Sequence, residues 1–431
     1  MRSQTDIAGS PEYVGCDISH HLPLRCLLRF LVPLVLCVWL LAAPAHAKYD
    51  GGSGTESAPY RIRTARQMND IGATPGDWNK HFILVGDIDL GDLGGSAFNI
   101  IGIERLESFS GIFDGNDHEI SGLDIVSTRP LYTGLFGCVG GEVKRLGLVN
   151  PYVFSQGNSV GALVGYLDQG TVTSCYAREA DVSGDDNIGG LVGLNAGRIF
   201  GSYSSGNVSG DTFVGGLVGL LTDGTVTRSS SKADVTGNRN VGGLVGKTSH
   251  EISAITNSYA AGTVMADTYA GGLAGQLERG AAHICYSTGR VSGNQYVGGL
   301  IGNIRVLGST AFCFWDTERS SQPTSAGGTG KTTAEMKSIS TYTAAGWDFW
   351  DTWTICEGTN YPVLQWQIPP GDFLCPDGVD FIDFAFFAQH WHQQGCNASN
   401  FNCEGTDVNR SGSVNFSDLE IFAARWLDGG S

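Results

Sequence analysis

Five oxygen-bearing residues near the C-terminus have the spacing of a calcium-binding loop. From Asp407 to Asp418, side-chain oxygens fall at loop positions 1, 3, 5 and 12, with glycine at position 6. Calcium prefers such hard oxygen ligands, and the glycine permits the sharp turn that brings them together. Aspartate here replaces the glutamate that usually ends such a loop. The predicted ligands are Asp407, Asn409, Ser411, the carbonyl oxygen of Ser413, and Asp418.

A second loop, offset by 35 residues, shares only part of this pattern. Asp372, Asp380 and Asp383 lie at loop positions 1, 9 and 12. Leu374 and Pro376 stand at positions 3 and 5, where oxygen ligands are needed. This loop is therefore predicted to bind calcium weakly or not at all.

Each loop precedes a segment with helical periodicity, so the module is a duplicated loop and helix. Apolar residues fall at i, i+3, i+4 and i+7 in both copies, which predicts two amphipathic helices packed face to face. The matching residues are Phe384, Phe387, Ala388 and Trp391 in the first copy, and Leu419, Phe422, Ala423 and Trp426 in the second.

Residues 372–428 resemble type I dockerins, small calcium modules that attach enzymes to cohesin-bearing scaffolds. The resemblance implies calcium as cofactor and a cohesin-like or other cell-surface protein as partner. Dockerins carry small hydroxyl residues at loop positions 10 and 11 to contact cohesin. Here those positions hold Phe381-Ile382 and Phe416-Ser417, so a different tether, to a surface or a polysaccharide-degrading complex, also fits.

Motifs for catalysis are incomplete in this sequence. A zinc peptidase helix needs His-Glu-x-x-His, but His118-Glu119 is followed by Gly122 and His250-Glu251 by Ala254 where the second histidine would stand. Zinc peptidase activity is therefore not expected. If the chain is an enzyme, the expected class is a glycoside hydrolase or lyase acting on polysaccharide, which would use clustered carboxylates.

Two groups of aspartates precede the repeats, and the first of them is the densest acidic group there. We interpret them mainly as turn and edge-strand residues. They are Asp87, Asp89 and Asp92, and Asp114 and Asp117.

A sequence repeat predicts the secondary-structure elements that would position any functional site. Gly-Gly-Leu-Val-Gly and its variants occur seven times, at spacings of 26 to 29 residues between the central leucines. Two shorter segments of strand character follow each copy, and none has a helical period. A single coil of this size cannot bury its own apolar side chains, so we predict a parallel β-solenoid of about 27-residue coils with three short strands each. The central leucines are Leu135, Leu163, Leu191, Leu217, Leu244, Leu273 and Leu300.

These repeats resemble the GLUG motif of large bacterial surface and secreted proteins. The resemblance covers about residues 50–366 and includes the segments Pro59-Tyr60-Arg61-Ile62 and Gly111-Ile112-Phe113-Asp114-Gly115-Asn116. It implies a β-solenoid fold, and it occurs both in adhesins and beside peptidase domains.

A tyrosine recurs at one coil position, and serine takes its place once, at Ser230. This series is either an aromatic ladder for stacking sugars or a stack that fills the core or a corner, and we favour the second interpretation. Its members are Tyr176, Tyr203, Tyr259 and Tyr286.

Cysteines also recur in the repeats and cluster near the C-terminus. Cys285 and Cys313 share one coil position on adjacent coils, which permits either a disulfide or a buried pair of thiols. Four C-terminal cysteines allow three pairings, and the sequence leaves the choice open. A bond from Cys375 to Cys396 or Cys403 is one alternative, which would staple the first loop in place of a metal. The fourth of these cysteines is Cys356.

Charge and an N-terminal apolar run indicate export. The net charge is −17, from 26 Lys and Arg against 43 Asp and Glu, which argues against nucleic acid as a partner. An apolar run from Phe30 to Ala43 precedes Ala45-His46-Ala47, a small-x-small cleavage signal. We predict a secreted or cell-surface protein with no membrane span after signal removal.

The predicted organisation has six parts. The functional hypothesis is a non-catalytic, adhesive or ligand-displaying solenoid tethered through the calcium module. The alternative is a component of extracellular polysaccharide degradation, either a divergent carbohydrate-active β-helix or a carbohydrate-binding partner. The parts are a signal peptide at 1–47, irregular coils at 48–130, the GLUG-repeat solenoid at 131–316, a solenoid cap at 317–366, a linker at 367–371 and the dockerin-like module at 372–428.

Overall fold

The computed structural model describes residues 48–94, 98–128, 131–374, 378–397 and 401–427. The predicted signal peptide and Cys375 lie outside the described residues. Within the described residues, thirty strands, β1 to β30, form one continuous ladder in which every strand pairing is parallel. This confirms the predicted parallel β-solenoid.

The N-terminal coils are irregular and carry a helix. Thr64 caps this helix by accepting a hydrogen bond from the Gln67 amide, and Met68 and Ile71 enter the solenoid core. The elements are β1 (Tyr60–Ile62), α1 (Ala65–Gly72), a 3₁₀ turn (Pro75–Asp77), β2 (His81–Leu84), β3 (Ile88–Asp89), a 3₁₀ turn (Leu90–Leu93), β4 (Ile112–Ser121) and β5 (Asp124–Ser127).

The regular coils follow, and their strands stack on equivalent strands of neighbouring coils. Three successive coils, over 131–155, 158–183 and 186–209, contain four strands each instead of the predicted three, whereas the coil over 234–260 contains three. The strands are β6 (Leu131–Thr133), β7 (Phe136–Val139), β8 (Glu142–Val149), β9 (Tyr152–Ser155), β10 (Asn158–Gly161), β11 (Val164–Leu167), β12 (Thr171–Thr173), β13 (Tyr176–Ser183), β14 (Asp186–Gly189), β15 (Val192–Asn195), β16 (Arg198–Phe200), β17 (Tyr203–Ser209), β18 (Thr212–Gly215), β19 (Val218–Leu221), β20 (Thr225–Thr227), β21 (Ser230–Ser231), β22 (Asp234–Gly242), β23 (Val245–Thr248), β24 (Ala254–Ala260), β25 (Val264–Gly271), β26 (Ala274–Ser287), β27 (Val291–Gly298), β28 (Ile301–Ala311), β29 (Phe314–Asp316) and β30 (Thr329–Lys331).

The extra strand arises because the repeat motif is a corner and not a strand. β14 ends at Gly189 and β15 begins at Val192, with the fully buried Leu191 between them. Leu191 donates its amide to the Leu217 carbonyl at 3.1 Å, and Leu217 donates to Leu244 at 2.9 Å. The leucines therefore fill the core at the corner and also continue the ladder through it. All seven central leucines are 0% exposed.

Close backbone approach explains the glycines of this corner. A Cβ on Gly190 would lie 2.2 Å from the Gly216 carbonyl oxygen, and one on Gly216 would lie 2.2 Å from the Gly243 oxygen. Neither glycine has a positive φ. Glycine is thus required here because the stacked coils leave no room for a Cβ, and not because the backbone is left-handed.

A ladder of small polar side chains lines another corner. Ser202 and Ser229 each accept a hydrogen bond through Oγ from the amide of the residue one coil earlier, at 3.2 Å. Cys285 and Cys313 occupy the equivalent position on later coils, and both are buried free thiols. Of the two predicted alternatives, the structure therefore contains the thiol pair.

The segment after the last strand of the ladder, residues 332–367, is here called the cap, and it folds back along the side of the coils. Its aromatic residues form a second cluster with residues of the repeats, made of Tyr259, Tyr286, Phe314, Met336, Tyr342, Trp347, Trp353 and Leu364. The elements of the cap are α2 (Thr333–Met336), α3 (Ile339–Thr343), the antiparallel pair β31 (Trp353–Thr354) and β32 (Val363–Leu364), and a 3₁₀ turn (Gln365–Gln367).

The C-terminal module contains α4 (Phe381–Gln389), a short turn over Phe401–Glu404 labelled α5, and α6 (Phe416–Leu427). The two predicted helices are present, and Phe387 of α4 contacts Phe422 of α6 with ring centroids 5.7 Å apart. Cys396 is disulfide-bonded to Cys403, which excludes the alternative of a bond from Cys375 to either of them. Among the described helices, none is long and apolar enough to span a bilayer.

Candidate functional site

The predicted calcium loop holds two carboxylates away from solvent. Asp407 is 2% exposed and Asp418 is 0% exposed. Asp407 accepts hydrogen bonds from the amides of Ser411 and Gly412, each at 2.9 Å. The loop therefore wraps around this carboxylate.

Asp418 ties the loop to the helix that follows. Its two carboxylate oxygens accept hydrogen bonds from the amides of Asn409, at 3.1 Å, and Asn415, at 2.9 Å. Because Asp418 lies in the first turn of α6, these bonds fix the start of the helix against the loop.

The three neutral ligands of the prediction line the same loop. Asn409 accepts through Oδ1 from the Ser411 amide at 2.9 Å, and the Ser413 carbonyl accepts from Ser411 Oγ at 3.2 Å. The oxygen atoms that this loop could offer to a metal thus belong to carboxylate, amide, hydroxyl and carbonyl groups, which are the ligands that calcium prefers. Across the described residues, no three His, Cys, Asp or Glu side chains cluster to hold a metal. This loop contributes only two such side chains.

The three carboxylates of the first loop accept hydrogen bonds from backbone amides. Asp380 accepts hydrogen bonds from the amides of Ile382 and Asp383 and so caps α4. Asp383 accepts from the Phe373 amide at 2.7 Å, and Asp372 from the Gly378 amide at 3.1 Å. Weak or absent calcium binding by this loop stays a prediction.

The recurring tyrosines lie on the outside of the solenoid core and are covered unequally. Tyr259 and Tyr286 stack at 5.0 Å between ring centroids, and both are 2% exposed beneath the cap. Tyr176 and Tyr203 stack at 4.8 Å and are only half-buried. Neither predicted interpretation describes the whole series, because the cap buries one pair and leaves the other accessible.

Ser230 marks the place where the cap meets the coils. The Gln367 side chain donates through Nε2 to Ser230 Oγ at 3.0 Å and accepts from the Tyr259 hydroxyl at 3.0 Å. The small side chain of Ser230 therefore leaves room for Gln367 in the row of tyrosines. The sequence signalled this contact only as a break in the series, and it gave no indication of the partner.

Beyond Ser230, Trp366 extends the row toward the accessible tyrosines. Its ring centroid lies 6.1 Å from that of Tyr203, and its indole nitrogen donates to the Arg228 carbonyl at 2.9 Å. Trp366 is 39% exposed. Its role was not predicted from the sequence, because nothing local links residue 366 to residue 203.

Charged groups flank these rings. The Tyr176 hydroxyl donates to Glu119 at 2.5 Å, and Arg178 lies 3.3 Å from the same carboxylate. Burial and the Glu119 carboxylate raise the pKa of Tyr176 above its ordinary value, so its hydroxyl stays protonated at neutral pH. On the other side, Arg228 pairs with Asp351 at 3.0 Å.

The other candidate catalytic groups have structural partners. His118 lies 3.1 Å from Asp87, and His250 pairs with Asp223. Asp114 and Asp117 both pair with Arg145, at 2.7 and 3.3 Å. Asp89 accepts from the Gly91 amide and caps a 3₁₀ turn. These contacts agree with the interpretation of the aspartates as turn and edge-strand residues.

Comparison with known proteins places the repeats among GLUG sequences. A match to the GLUG motif spans residues 237–265. The "Putative Gly-rich membrane protein" of Evansella cellulosilytica is 31% identical over 39% of this chain and 24% of its own length. Halomucin of Haloquadratum walsbyi is 32% identical over 77% of this chain and 4% of its own length. The chain thus spans a quarter or less of these relatives.

A solved structure has the same fold. The crystal structure of "a putative immunoglobulin A1 protease" from Bacteroides ovatus covers 74% of this chain, and the match takes in 96% of that chain, with a TM-score of 0.52 and 23% identity. At this identity the likeness concerns the fold alone. The chain therefore carries the GLUG motif on a parallel β-solenoid.

Proposed function

We propose that the chain is an exported, non-catalytic solenoid that presents or binds a ligand outside the cell and is tethered through its C-terminal module with calcium. The relatives named as a Gly-rich membrane protein and a halomucin support a surface or secreted location. The solenoid supports a display role because its coils are fixed to one another by a continuous backbone ladder.

The observation that carries the calcium proposal is the burial of Asp407 and Asp418. Neither carboxylate forms an ion pair with any residue in the described part of the chain. A buried carboxylate without a compensating cation is costly. Calcium held by these two side chains with Asn409, Ser411 and the Ser413 carbonyl would neutralise them, and its role would be to fix the loop against α6.

The proposed partner surface of the module is apolar. Phe381 and Phe416, at equivalent positions of the two loops, are 76% and 74% exposed. Each packs edge-on against a tryptophan of the other copy, Phe381 on Trp426 at 4.6 Å and Phe416 on Trp391 at 5.1 Å. A cohesin-like or cell-surface protein that binds here would have to offer apolar side chains in place of hydroxyl partners.

The calcium proposal is tested with the mature chain, residues 48–431. Calcium at about 100 times its Kd should stabilise the module by about 2.7 kcal/mol, because it binds only the folded loop. Calorimetric titration and thermal unfolding should show this gain in the wild type and lose it in Asp407→Ala. Glu420→Ala is the matched control, because this exposed acid lies on α6 outside the loop.

An unchanged calcium isotherm in Asp407→Ala would refute the loop assignment. The non-catalytic part of the proposal has its own test, which is incubation of the same chain with polysaccharides. Release of new reducing ends or unsaturated sugars would overturn it and favour the alternative, a component of polysaccharide degradation.

A further inference from the structure

We infer that the accessible end of the tyrosine series is a binding surface for a neutral polysaccharide. This surface, here called the aromatic ledge, consists of Tyr176, Tyr203 and Trp366. The inference rests on the proposed ligand-binding role of the solenoid and is independent of the calcium loop.

The rings of the ledge are held in place before any ligand arrives. Tyr176 is fixed by its hydrogen bond to Glu119, and Trp366 by its bond to the Arg228 carbonyl. Tyr203 lies between them, with its ring tilted by 12° from Tyr176 and by 32° from Trp366. Little side-chain freedom is therefore lost on binding, which favours affinity.

The charges of the side chains around the ledge nearly cancel. Arg178 lies beside Glu119, and Arg228 pairs with Asp351, so each guanidinium has a carboxylate partner. Apolar rings bordered by hydrogen-bonding groups match a sugar, which offers C–H faces and hydroxyl edges. Compensated charge favours a neutral sugar over a uronate or a sulfated chain.

The geometry disfavours other polymers. A peptide that adds a strand needs an open sheet edge, but the strand of Tyr176 is paired on both sides, with Gly147 and with Tyr203. Nucleic acid is disfavoured by the net charge of −17. Because Tyr176 and Tyr203 belong to neighbouring coils, the ledge extends along the stacking direction, which suits a linear polysaccharide more than a single sugar.

The test is calorimetric titration of residues 48–431 with soluble neutral polysaccharides, namely xylan, mannan and mixed-linkage β-glucan. Alginate and polygalacturonate form the acidic arm. We expect binding to at least one neutral polymer and a loss of about tenfold or more in affinity for Tyr203→Ala, since central aromatic residues dominate such contacts. Tyr296→Ala is the matched control: Tyr296 is 55% exposed and stacks on Tyr269 at 4.8 Å in a different row.

Three results would overturn the inference: no binding to any neutral polymer, binding to the acidic polymers alone, or an equal loss in Tyr203→Ala and Tyr296→Ala. Should Tyr203→Ala fail to fold, Arg178→Ala tests the same surface, because the Arg178 side chain is 46% exposed. Turnover of the bound polymer would contradict the proposed non-catalytic function, yet the ledge would stand if Tyr203→Ala still lost binding. A chain that binds polysaccharide but not calcium would contradict only the proposed calcium tether and would leave the aromatic ledge standing.

Discussion

Replacing Ser230 with tyrosine restores the repeat pattern and is nevertheless expected to loosen the cap. A tyrosine ring at this position would take the place of the Gln367 side chain, between Tyr203 and Tyr259. The change would therefore break the hydrogen bond that Gln367 donates to Ser230 and the one that it accepts from Tyr259. It would also disturb the neighbouring bond from the Trp366 indole to the Arg228 carbonyl.

The losses outweigh the gains when their magnitudes are compared. Each of the three hydrogen bonds contributes about 1 kcal/mol, and a Tyr259 hydroxyl left buried without its acceptor costs about 1–3 kcal/mol more. New ring stacking on Tyr203 and Tyr259 would return about 1–2 kcal/mol. The free energy that docks the cap should therefore fall by about 2–5 kcal/mol.

Limited proteolysis of the native chain measures this docking energy. Cleavage within the cap through local opening should accelerate about 30-fold or more in Ser230→Tyr, since about 1.4 kcal/mol corresponds to a factor of ten. Ser230→Ala is the control, because it removes one hydrogen bond and should change the rate by about fivefold. Adding Gln367→Ala to Ser230→Tyr should restore part of the protection by making room for the ring. Protection of Ser230→Tyr equal to or above that of the wild type would show that the contact with Gln367 does not hold the cap.

Two further predictions concern the corner and the buried tyrosines. Gly216→Ala places a Cβ 2.2 Å from the Gly243 oxygen and should lower the free energy of unfolding by about 1–3 kcal/mol, measured from the midpoint of urea unfolding. The control is Gly86→Ala, which has no atom near its Cβ and should change the free energy of unfolding by no more than about 0.5 kcal/mol. An equal effect of both substitutions would contradict the argument that close stacking requires glycine. Burial raises the pKa values of Tyr259 and Tyr286, so the folded cap favours their neutral forms: this stability is fully present below the unfolded tyrosine pKa of about 10 and is lost as pH rises above it. Tyrosinate absorbance should therefore rise together with unfolding of the cap, and ionisation of these residues in the intact fold would contradict the reasoning.

The sequence predicted the features that depend on near neighbours along the chain. A spacing of about 27 residues and buried leucines such as Leu191 were enough for the solenoid, because stacking repeats the same contacts. The spacing from Asp407 to Asp418 pointed to two carboxylates that the structure buries, and calcium binding by them stays a prediction. The four-strand coil was missed because Gly189 and Gly190 look like parts of one apolar strand until their distance to the next coil is known.

Contacts between distant segments were not predictable in this way. Trp366 and Gln367 meet coils more than a hundred residues earlier in the chain, and no periodicity connects them to Ser230. The disulfide between Cys396 and Cys403 was not predictable for another reason: its cysteines are only 7 residues apart, but four cysteines alone left three pairings open.

Breaks in the repeat nevertheless carry information about those distant contacts. A residue that contacts only the equivalent residues of neighbouring coils has the same surroundings in every coil. Nothing then favours a different residue type in a single repeat. Ser230 departs from the tyrosines and receives Gln367 from the cap. Gly147, in the same row, leaves space for the Tyr176 ring, since a Cβ there would lie 2.4 Å from it, and this lets the Tyr176 hydroxyl reach Glu119. Both departures lie where a side chain from another coil or from the cap enters the row, and together they bound the aromatic ledge on its two sides. The positions at which this solenoid departs from its own pattern therefore identify where its lateral face is covered and where it remains open to a ligand.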